Sequence, residues 1–199
     1  DHYGKRMSKE EACKALNLDA DKDYMLFFGL VRAYKGLDLL LDAMGKIHAK
    51  MPNLRLLIAG EFYDQEEIYR KQIADNGLTD KVIIRNEFIP DADLRLYFGA
   101  ANLIVQPYKT ATQSGVTQIA FHFEKPMLVT DVGGLAEIVK HGKSGYVCQP
   151  NPQSIADCLL DFCKNKTDFT ESLMEEKKKF SWERMTESIK ELYTKTLEK

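Results

Sequence analysis

The sequence predicts an α/β fold built on a doubly wound parallel sheet of the Rossmann-like kind. Short segments that are continuously apolar, such as residues 24–28 and 54–59, are typical of strands buried on both faces. Segments with apolar residues at helical spacing, such as residues 37–51, lie between them. Because strands and helices alternate along the chain, the strands are expected to run parallel and to place ligands at their carboxyl ends.

The individual elements are predicted in order along the chain. Ser8 and Glu11 form a capping box that indicates a short helix ending near Asn17. Strands are predicted over residues 24–28, 54–59, 82–85, 103–106, 127–130 and 146–148. Helices are predicted over residues 37–51, 64–77 with Asp64 as the cap, 91–100, 114–124 and 135–141. Asn151 followed by Pro152 indicates a further helix start, after which the chain is expected to be helical and to end in a helix over residues 181–196.

Composition and charge exclude several classes of protein. The 199 residues, of which 44% are hydrophobic and 29% charged, are typical of one globular domain. A net charge of −2 argues against binding along a nucleic-acid backbone. No apolar run approaches the roughly 18 residues of a membrane span. The scattered histidines predict no metal site. The cysteines form no C-x-x-C pair and are expected to be reduced thiols of a cytoplasmic protein: Cys13, Cys148, Cys158 and Cys163.

The loop after the first predicted strand, residues 29–36, carries two glycines and two cations. Gly29 and Gly36 allow the backbone to turn sharply and to approach a ligand closely. Arg32 can bind an anion through two nitrogens, and Lys35 can act as a point charge. The pair is therefore suited to binding a diphosphate. A tight turn with two solvated cations explains the same residues, and spacing alone leaves both interpretations open.

A second loop, residues 108–117, follows the predicted strand 103–106 and opens a helix. The unpaired N–H groups at a helix start and the helix dipole both favour an anion there. The candidate residues at this start are Gln113, Ser114, Gly115, Val116 and Thr117. A capped helix with nothing bound is the alternative, and the small side chains favour a ligand.

A third loop, residues 130–137, contains the pair Gly133-Gly134, which permits close approach of a ligand but which a plain turn explains almost as well. Other kinds of site are excluded by their missing motifs. The chain has no G-x-G-x-x-G after its first strand, no G-x-x-x-x-G-K-[ST] and no G-x-S-x-G. A dinucleotide-dependent dehydrogenase, a P-loop ATPase and an α/β-hydrolase are therefore not predicted.

Taken in order, these segments resemble the C-terminal domain of family 4 glycosyltransferases, also called glycosyl transferases group 1. The matching segments are residues 27–36, 57–61, 126–134, 137–139 and 142–147, with residues 180–182 before the last helix. Each segment is weak alone, but the ordered set is specific and covers nearly the whole chain.

The resemblance implies that residues 1–199 form the nucleotide-sugar-binding half of a GT-B fold and that the N-terminal, acceptor-binding half is absent. It implies a metal-independent enzyme that retains the anomeric configuration. It implies no cofactor besides the substrate, a nucleoside-diphosphate sugar, with a UDP-sugar as the expected donor. Arg32 and Lys35 would contact the diphosphate as catalytic residues. The nucleotide would contact the helix start at residues 113–117 and further residues at strand ends: Gly29, Gly36, Gly60, Glu61, Asn86 and Ile89.

The missing half would hold the acceptor, which is expected to be a glycan or a lipid-linked molecule. A lipid-linked acceptor is compatible with peripheral association of the full-length enzyme with the cytoplasmic face of a membrane. Because the acceptor site lies in the other half, this chain alone is expected to have no transferase activity. The helix over residues 181–199 is expected to pack toward that half, or on this domain, through Met185, Ile189, Leu192 and Leu197.

Two departures from the family pattern keep other functions open. Leu30 stands where many members have an arginine, so Arg32 is the substitute. The Glu-x7-Glu motif of the family would fall on Ala111 and Ile119, so both carboxylates are missing; Gln113, Ser114 and Gln118 are nearby polar replacements. One alternative is therefore a degenerate, non-catalytic nucleotide-binding module. The other is a GT-B nucleotide-sugar 2-epimerase, although the catalytic carboxylates and histidines expected for it are not found near these loops.

Overall fold

The computed structural model, which describes residues 3–63, 65–179 and 182–197, is organised around one six-stranded parallel sheet. Its strand order is β3-β2-β1-β4-β5-β6, and every described pairing is parallel. This order reverses direction between β1 and β4 and confirms the prediction of a doubly wound sheet. The strands are β1 (Asp23–Phe28), β2 (Leu54–Ala59), β3 (Val82–Arg85), β4 (Leu103–Gln106), β5 (Met127–Thr130) and β6 (Gly145–Cys148).

The apolar segments form the strands because the centre of the sheet is covered on both faces. Met25 in β1 aligns with Leu56 of β2 on one side and with Leu103 of β4 on the other, and all three side chains are fully buried. A strand that is buried on both faces cannot alternate polar and apolar residues, which explains the continuous apolar runs.

The helices pack beside the sheet in groups. Helix α2 packs against both α3 and α7, α1 packs against α4, and α5 packs against α8. The helices are α1 (Lys9–Leu16), α2 (Leu37–Ile47), α3 (Glu66–Asp75), α4 (Leu94–Ala100), α5 (Gly115–His122), α6 (Leu135–Ile138), α7 (Pro152–Asn165), α8 (Thr170–Lys178) and α9 (Trp182–Leu197).

Two helix starts follow the predicted local chemistry. The Ser8 hydroxyl accepts the Glu11 N–H, and the Glu11 carboxylate accepts the Ser8 N–H, so the capping box is formed. The Asn151 side chain accepts the Ser154 N–H, and Pro152 occupies the first helical position. Both starts confirm the prediction because a cap depends only on residues close together in the sequence.

Several predicted helix ends are wrong by a few residues. Helix α2 ends at Ile47 instead of residue 51, because the chain then forms turns. The helix predicted over 135–141 is only the single turn of α6. The Lys140 N–H donates to the Ser144 hydroxyl oxygen instead of to a helical carbonyl oxygen. The segment 91–100 divides into a 3₁₀ turn over Asp91–Asp93 and helix α4. The predicted cap Asp64, and Phe180 and Ser181 before the last helix, lie outside the described residues.

Helix α9 carries an apolar stripe that remains in solvent. Met185, Ile189 and Tyr193 follow one another at helical spacing and are all more than half exposed. The side chains of the predicted contacts Leu192 and Leu197 are outside the described set. None of the helices in the described part of the chain is long and apolar enough to cross a bilayer.

Candidate functional site at the sheet switch point

The reversal of strand order places two of the predicted loops side by side. β1 and β4 are neighbours and run parallel, so the loop at residues 29–36 and the loop at residues 107–114 leave the sheet at the same edge. In doubly wound sheets this point opens a crevice at the carboxyl ends of the strands. The two segments that the sequence singled out are therefore adjacent in space, although they are about 75 residues apart in the chain.

The two loops are held together by direct contacts. Gly36 has a φ of 69°, and a Cβ placed on it would lie 1.9 Å from the Pro107 carbonyl oxygen. The Lys109 N–H donates to the Tyr34 carbonyl oxygen at 2.7 Å, and the Tyr34 and Tyr108 rings meet edge to face. Gly36 is therefore needed for the close approach of the two loops, in addition to any contact with a ligand.

Lys35 is the buried cation of this edge. It ends the 3₁₀ turn Ala33–Lys35, and only 8% of its surface is exposed. Its ammonium nitrogen lies 5.8 Å from the centre of the Tyr108 ring. A Cβ on Gly29 would lie 3.2 Å from that nitrogen, so the missing side chain of Gly29 leaves room for it. Within the part of the chain that the structure describes, this ammonium group forms no hydrogen bond or ion pair.

Burial changes the ionisation of both side chains in this contact. Burial, and then repulsion from Arg32, lower the pKa of Lys35 from 10.5 to about 8. Burial raises the pKa of Tyr108 to about 12, against the opposing effect of its hydrogen bond with Ser114. Among the described residues Lys35 thus lacks a counter-charge, and an anion bound beside it would raise its pKa again.

Arg32, the second predicted cation, points elsewhere. Its side chain is exposed, and its guanidinium group lies 4.3 Å from the centre of the Tyr63 ring. It remains close enough to Lys35 to lower the pKa of that group. The two residues predicted to bind the diphosphate therefore lie in different environments. Lys35 is buried at the carboxyl edge of the sheet, and Arg32 is exposed on the rim of the same edge.

The start of α5 is open to solvent. Ser114 is the cap residue, but its side chain makes no cap hydrogen bond, and its hydroxyl lies 3.3 Å from the Tyr108 hydroxyl. A Cβ on Gly115 would meet no atom within 4 Å, and Gln113 is exposed. A ligand can therefore approach the first backbone N–H groups of this helix.

Two of the candidates at this helix start face the protein interior instead. Thr117 is fully buried, and its hydroxyl is paired with the side-chain amide of Gln106. Val116 is half-buried and packs against the core. Their side chains support the helix, so any ligand contact at these positions must come from the backbone.

A cleft of about 340 Å³ opens beside the same strand ends, and we call it the switch-point cleft. It collects predicted residues from three separate loops, because the carboxyl ends of β1, β2 and β3 lie next to one another. Gly60 has a φ of 138°, and a Cβ on it would lie 2.4 Å from the Gly29 carbonyl oxygen. The lining residues are Phe28, Gly29, Leu30, Gly60, Glu61, Phe88, Ile89, Asp91, Leu94 and Ile119.

The lining of this cleft includes four of the residues predicted to contact the nucleotide, but not Asn86. Gly29, Gly60, Glu61 and Ile89 all line it. Asn86 does not, since its side-chain oxygen accepts the Phe62 N–H at 3.1 Å and its nitrogen donates to the Glu66 carboxylate. The Asn86 side chain thus organises the loop after β2 behind the cleft.

The two positions that lack the family's glutamates lie in different surroundings. Ile119 presents an apolar surface to the switch-point cleft. Ala111 lies in the loop after β4, where its carbonyl oxygen would be 1.5 Å from a Cβ on Gly133. Gly133 has a φ of 52°, and the Gly134 N–H donates to the Thr112 carbonyl oxygen. The glycine pair of the third loop is thus explained by packing against the second loop.

Sequence reasoning missed several side chains of this edge. Tyr63, on which Arg32 stacks, and Phe88, which is 71% exposed in the cleft, carry no motif. Asp38 accepts from the Lys109 ammonium group at 2.7 Å and ties helix α2 to the second loop. No local pattern predicts an ion pair between residues so far apart in the chain.

Comparisons with known proteins agree with this geometry. The family model described as glycosyl transferases group 1 matches residues 8–193. An uncharacterized glycosyltransferase of Methanocaldococcus jannaschii, MJ1178, is 27% identical over 180 residues, which cover 88% of this chain and 49% of that protein. The chain spans about half the length of the curated relatives it matches.

Two solved structures share the fold. Anabaena Alr3699/HepE in complex with UDP superposes with a TM-score of 0.78 at 20% identity, over 94% of this chain and 52% of that one. The C-terminal domain of a glycosyl transferase group 1 family protein, LpcC, from Francisella tularensis gives a TM-score of 0.76 at 17% identity, over 89% of this chain and 93% of that one.

Proposed function

The chain belongs to the glycosyl transferases group 1 family, and we propose that it binds the nucleoside-diphosphate sugar of a retaining glycosyltransferase. Its sheet is the Rossmann-like C-terminal half of a GT-B fold. The whole enzyme would transfer the sugar to a glycan or a lipid-linked acceptor. The observation that carries the proposal is the buried ammonium group of Lys35, which lacks a counter-charge at the switch point between two loops.

The diphosphate is proposed to lie between Lys35 and the start of α5. Lys35 offers a full positive charge in a site with little water, where an ionic contact is stronger than at the surface. The open helix start near Gly115 offers unpaired N–H groups and the positive end of the helix dipole. Arg32 is proposed to contribute from the rim, where its exposed guanidinium group adds positive charge near the diphosphate while it stays stacked on Tyr63.

The nucleoside is proposed to occupy the switch-point cleft. The cleft is mainly apolar, and a flat base packed against the exposed Phe88 ring, beside the largely buried Ile89, would remove apolar surface of Phe88 from water. Glycines at residues 29 and 60 let the nucleoside approach the backbone at two strand ends. A uridine nucleotide is the preferred choice, since Alr3699/HepE, which has the same fold, is solved with UDP and with UDP-glucose.

The proposed chemistry is departure of the nucleoside diphosphate from the anomeric carbon. Negative charge builds on the leaving phosphate, and cations or N–H groups that are already in place stabilise it most effectively. Lys35 and the start of α5 would supply these groups, with Arg32 as a weaker contributor. This half of the enzyme needs no general base of its own for that step.

Transfer is proposed to require the other half of the protein. Holding the acceptor hydroxyl near the anomeric carbon accounts for about 7–11 kcal/mol of such a barrier. The chain spans about half of its relatives, and the apolar stripe of Met185, Ile189 and Tyr193 on α9 is proposed to pack against the missing half. A lipid-linked acceptor would bring the full-length enzyme to the cytoplasmic face of a membrane.

Calorimetric titration of the chain with UDP, GDP and ADP tests the donor site. We expect saturable binding of UDP, weaker binding of the purine nucleotides, and no labelled product when the chain is mixed with UDP-[¹⁴C]glucose and a lipid extract. Failure of all three nucleotides to bind would contradict the proposed function. Robust transfer by this chain alone would show that the acceptor site lies in this half.

A matched pair of variants tests the position of the base. Ile89 lines the switch-point cleft, whereas the neighbouring Asn86 side chain does not. Ile89→Ala is expected to weaken UDP binding by about 1 kcal/mol or less in protein that remains folded, since only the small exposed part of this largely buried side chain can contact the base. Asn86→Ala is expected to leave the UDP affinity unchanged in protein that remains folded. Equal losses in both variants, or a loss only in Asn86→Ala, would remove the base from this cleft.

A non-catalytic nucleotide-binding module is the second candidate. The observation that favours it is the absence of both family carboxylates, with Ile119 presenting an apolar surface to the cleft. The two candidates agree on nucleotide binding and differ in turnover. Hydrolysis or transfer of a nucleotide sugar by the full-length protein supports the enzyme, and tight binding without turnover supports the module.

A further inference from the structure

A second cavity lies beside the switch-point cleft and shares none of its described lining residues. It has a volume of about 540 Å³, and we call it the side cavity. The loop over residues 29–36 contributes to both, with Gly29 and Leu30 in the cleft and Ala33 in the side cavity. The other residues that matter here are Asp38, Tyr63, Gln65, Ile68 and Lys109.

The apolar part of the side cavity is unusually open to solvent. Tyr63 is 70% exposed and Ile68 is 60% exposed, whereas Tyr69 is buried beneath them. The Arg32 guanidinium group lies against the Tyr63 ring and holds it in place. A fixed aromatic ring that remains exposed offers a flat apolar surface at little entropic cost to a ligand.

The polar part of the side cavity is charge-balanced. The Lys109 ammonium group donates to Oδ2 of Asp38 at 2.7 Å. Among the described residues, Oδ1 of Asp38 is buried without a hydrogen-bond partner. The Gln65 side chain makes no cap hydrogen bond to α3, although Gln65 stands at the cap position. Since the Lys109 side chain is 40% exposed, it can shift and let a ligand hydroxyl reach the Asp38 carboxylate.

These features select one class of ligand. The charges of Asp38 and Lys109 cancel, so this ion pair favours neither an anion nor a cation. The nearby guanidinium group of Arg32 is already engaged with the Tyr63 ring. A wholly apolar ligand would bury the polar groups without hydrogen bonds, which is unfavourable. A sugar ring is neutral and carries both apolar and hydrogen-bonding groups. Its C–H face packs on an aromatic ring, while the hydroxyls around its edge can donate and accept hydrogen bonds.

We infer that the side cavity binds a neutral sugar residue of a glycan, at a site separate from the proposed nucleotide site. Tyr63 is the platform, Asp38 and Gln65 bond hydroxyls, and Ile68 covers the apolar face. The side cavity would then hold part of a carbohydrate chain while the nucleotide occupies the cleft. The inference does not depend on nucleotide binding, because none of its residues is taken from the switch-point cleft.

The test uses the ¹⁵N-labelled chain and NMR titration with three neutral trisaccharides: maltotriose, cellotriose and mannotriose. At least one is expected to shift the amide signals of Ala33, Tyr63, Gln65 and Ile68 in a saturable way. Tyr63→Ala is expected to weaken that sugar's binding by about fivefold or more, and Tyr63→Phe to retain it, because the ring provides the contact. Tyr193→Ala is the matched control, since Tyr193 is equally exposed but lies on α9.

Several outcomes would overturn the inference. The first is the absence of saturable shifts with all three sugars up to their solubility limits. The second is a set of shifts confined to Gly29, Gly60 and Ile89, which would mean that the sugar enters the cleft. The third is tighter binding of a sulfated heparin disaccharide than of any neutral sugar. A parallel titration with UDP reports on the proposed nucleotide site by itself, so the failure of one site does not imply the failure of the other.

Discussion

Two lysines at opposite ends of the sheet, Lys35 buried and Lys125 half-buried, have the same lowered pKa but different surroundings. Lys35 follows β1 at the carboxyl edge, and Lys125 precedes β5 at the amino edge. Burial is the largest cause in both cases, and each pKa is lowered to about 8. Repulsion from Arg32 adds to the effect at Lys35, and repulsion from Arg6 and Lys9 adds to it at Lys125.

The contacts of the two ammonium groups separate a candidate ligand site from a structural position. Lys125 donates to the Gly99 carbonyl oxygen at 3.2 Å, so the protein itself uses its hydrogen-bonding capacity. The Lys35 ammonium group has no hydrogen-bond or ion-pair partner among the described residues; the Tyr108 ring and the space left by Gly29 lie near it, with an open helix start on the adjacent loop. A lowered pKa therefore does not distinguish the two lysines, and the unused hydrogen-bonding capacity of Lys35 beside a cleft makes it the candidate ligand residue.

The largest expected effect is on nucleotide affinity. Lys35→Met should weaken UDP binding by about 1.5–3 kcal/mol, or roughly 10- to 150-fold, because it removes a charge-assisted contact to the diphosphate. Lys125→Met should leave the UDP affinity unchanged. Isothermal titration calorimetry at pH 7 measures both. A similar loss in the two variants would remove the distinction between the lysines.

The next effect is the pH dependence of UDP binding. In the proposed complex Lys35 would bind the diphosphate as a cation, and its pKa in the free protein is about 8. The bound anion raises that pKa, so affinity is highest below pH 8 and falls as the free site loses its proton above it. We expect a loss of about tenfold between pH 7 and 9 in the natural chain and in Lys125→Met, and a much smaller loss in Lys35→Met. A flat profile in the natural chain would contradict the role of Lys35.

The free chain should show the opposite trend in stability. For both lysines the pKa in the folded state, about 8, lies below the ordinary value of 10.5, so the unfolded chain binds more protons between these values. Stability should therefore rise as the pH increases from 8 to 10.5. Each lysine-to-methionine variant should reduce this rise by on the order of 1 kcal/mol relative to the natural chain. Urea unfolding at pH 7.5 and pH 10 measures it, and an unchanged rise in both variants would contradict the lowered pKa of these lysines in the folded chain.

The smallest effect is expected at Arg32. Its guanidinium group is exposed and stacked on Tyr63, so Arg32→Gln should weaken UDP binding by roughly threefold or less, as is usual for surface charges. It should also move the pH midpoint of binding upward, because the repulsion that lowers the pKa of Lys35 is removed. A loss as large as that of Lys35→Met would mean that Arg32 leaves Tyr63 and contacts the phosphates fully in the complex.

The sequence was sufficient for the strands, the fold class and the family. Residues 24–28 and 54–59 predicted strands because strands at the centre of a sheet that is covered on both faces consist of continuous apolar residues. The helix starts at Ser8 and Asn151 were predicted because a cap acts over three residues. The helix end after Ile47 and the short α6 were missed because turn and side-chain bonds compete there with the helical ones.

The candidate site was only partly predictable. The sequence identified the loops at residues 29–36 and 108–117 from their glycines, their cations and the helix start. It did not distinguish Lys35 from Arg32, since both are cations in one short loop and only packing against Tyr108 or Tyr63 separates them. It also grouped Thr117 with the ligand residues, although the side chain of Gln106 pairs with it in the interior.

Local patterns in the sequence thus determined which segments become strands, helix starts and loops, because those choices depend on neighbours a few residues apart. The tertiary structure alone decided which loops meet. The strand order places β1 beside β4, Gly36 lets the first loop touch Pro107, and Gly133 lets the third loop reach Ala111. These contacts join residues about 20 to 80 positions apart, and their energies depend on burial and close approach, which no local spacing encodes.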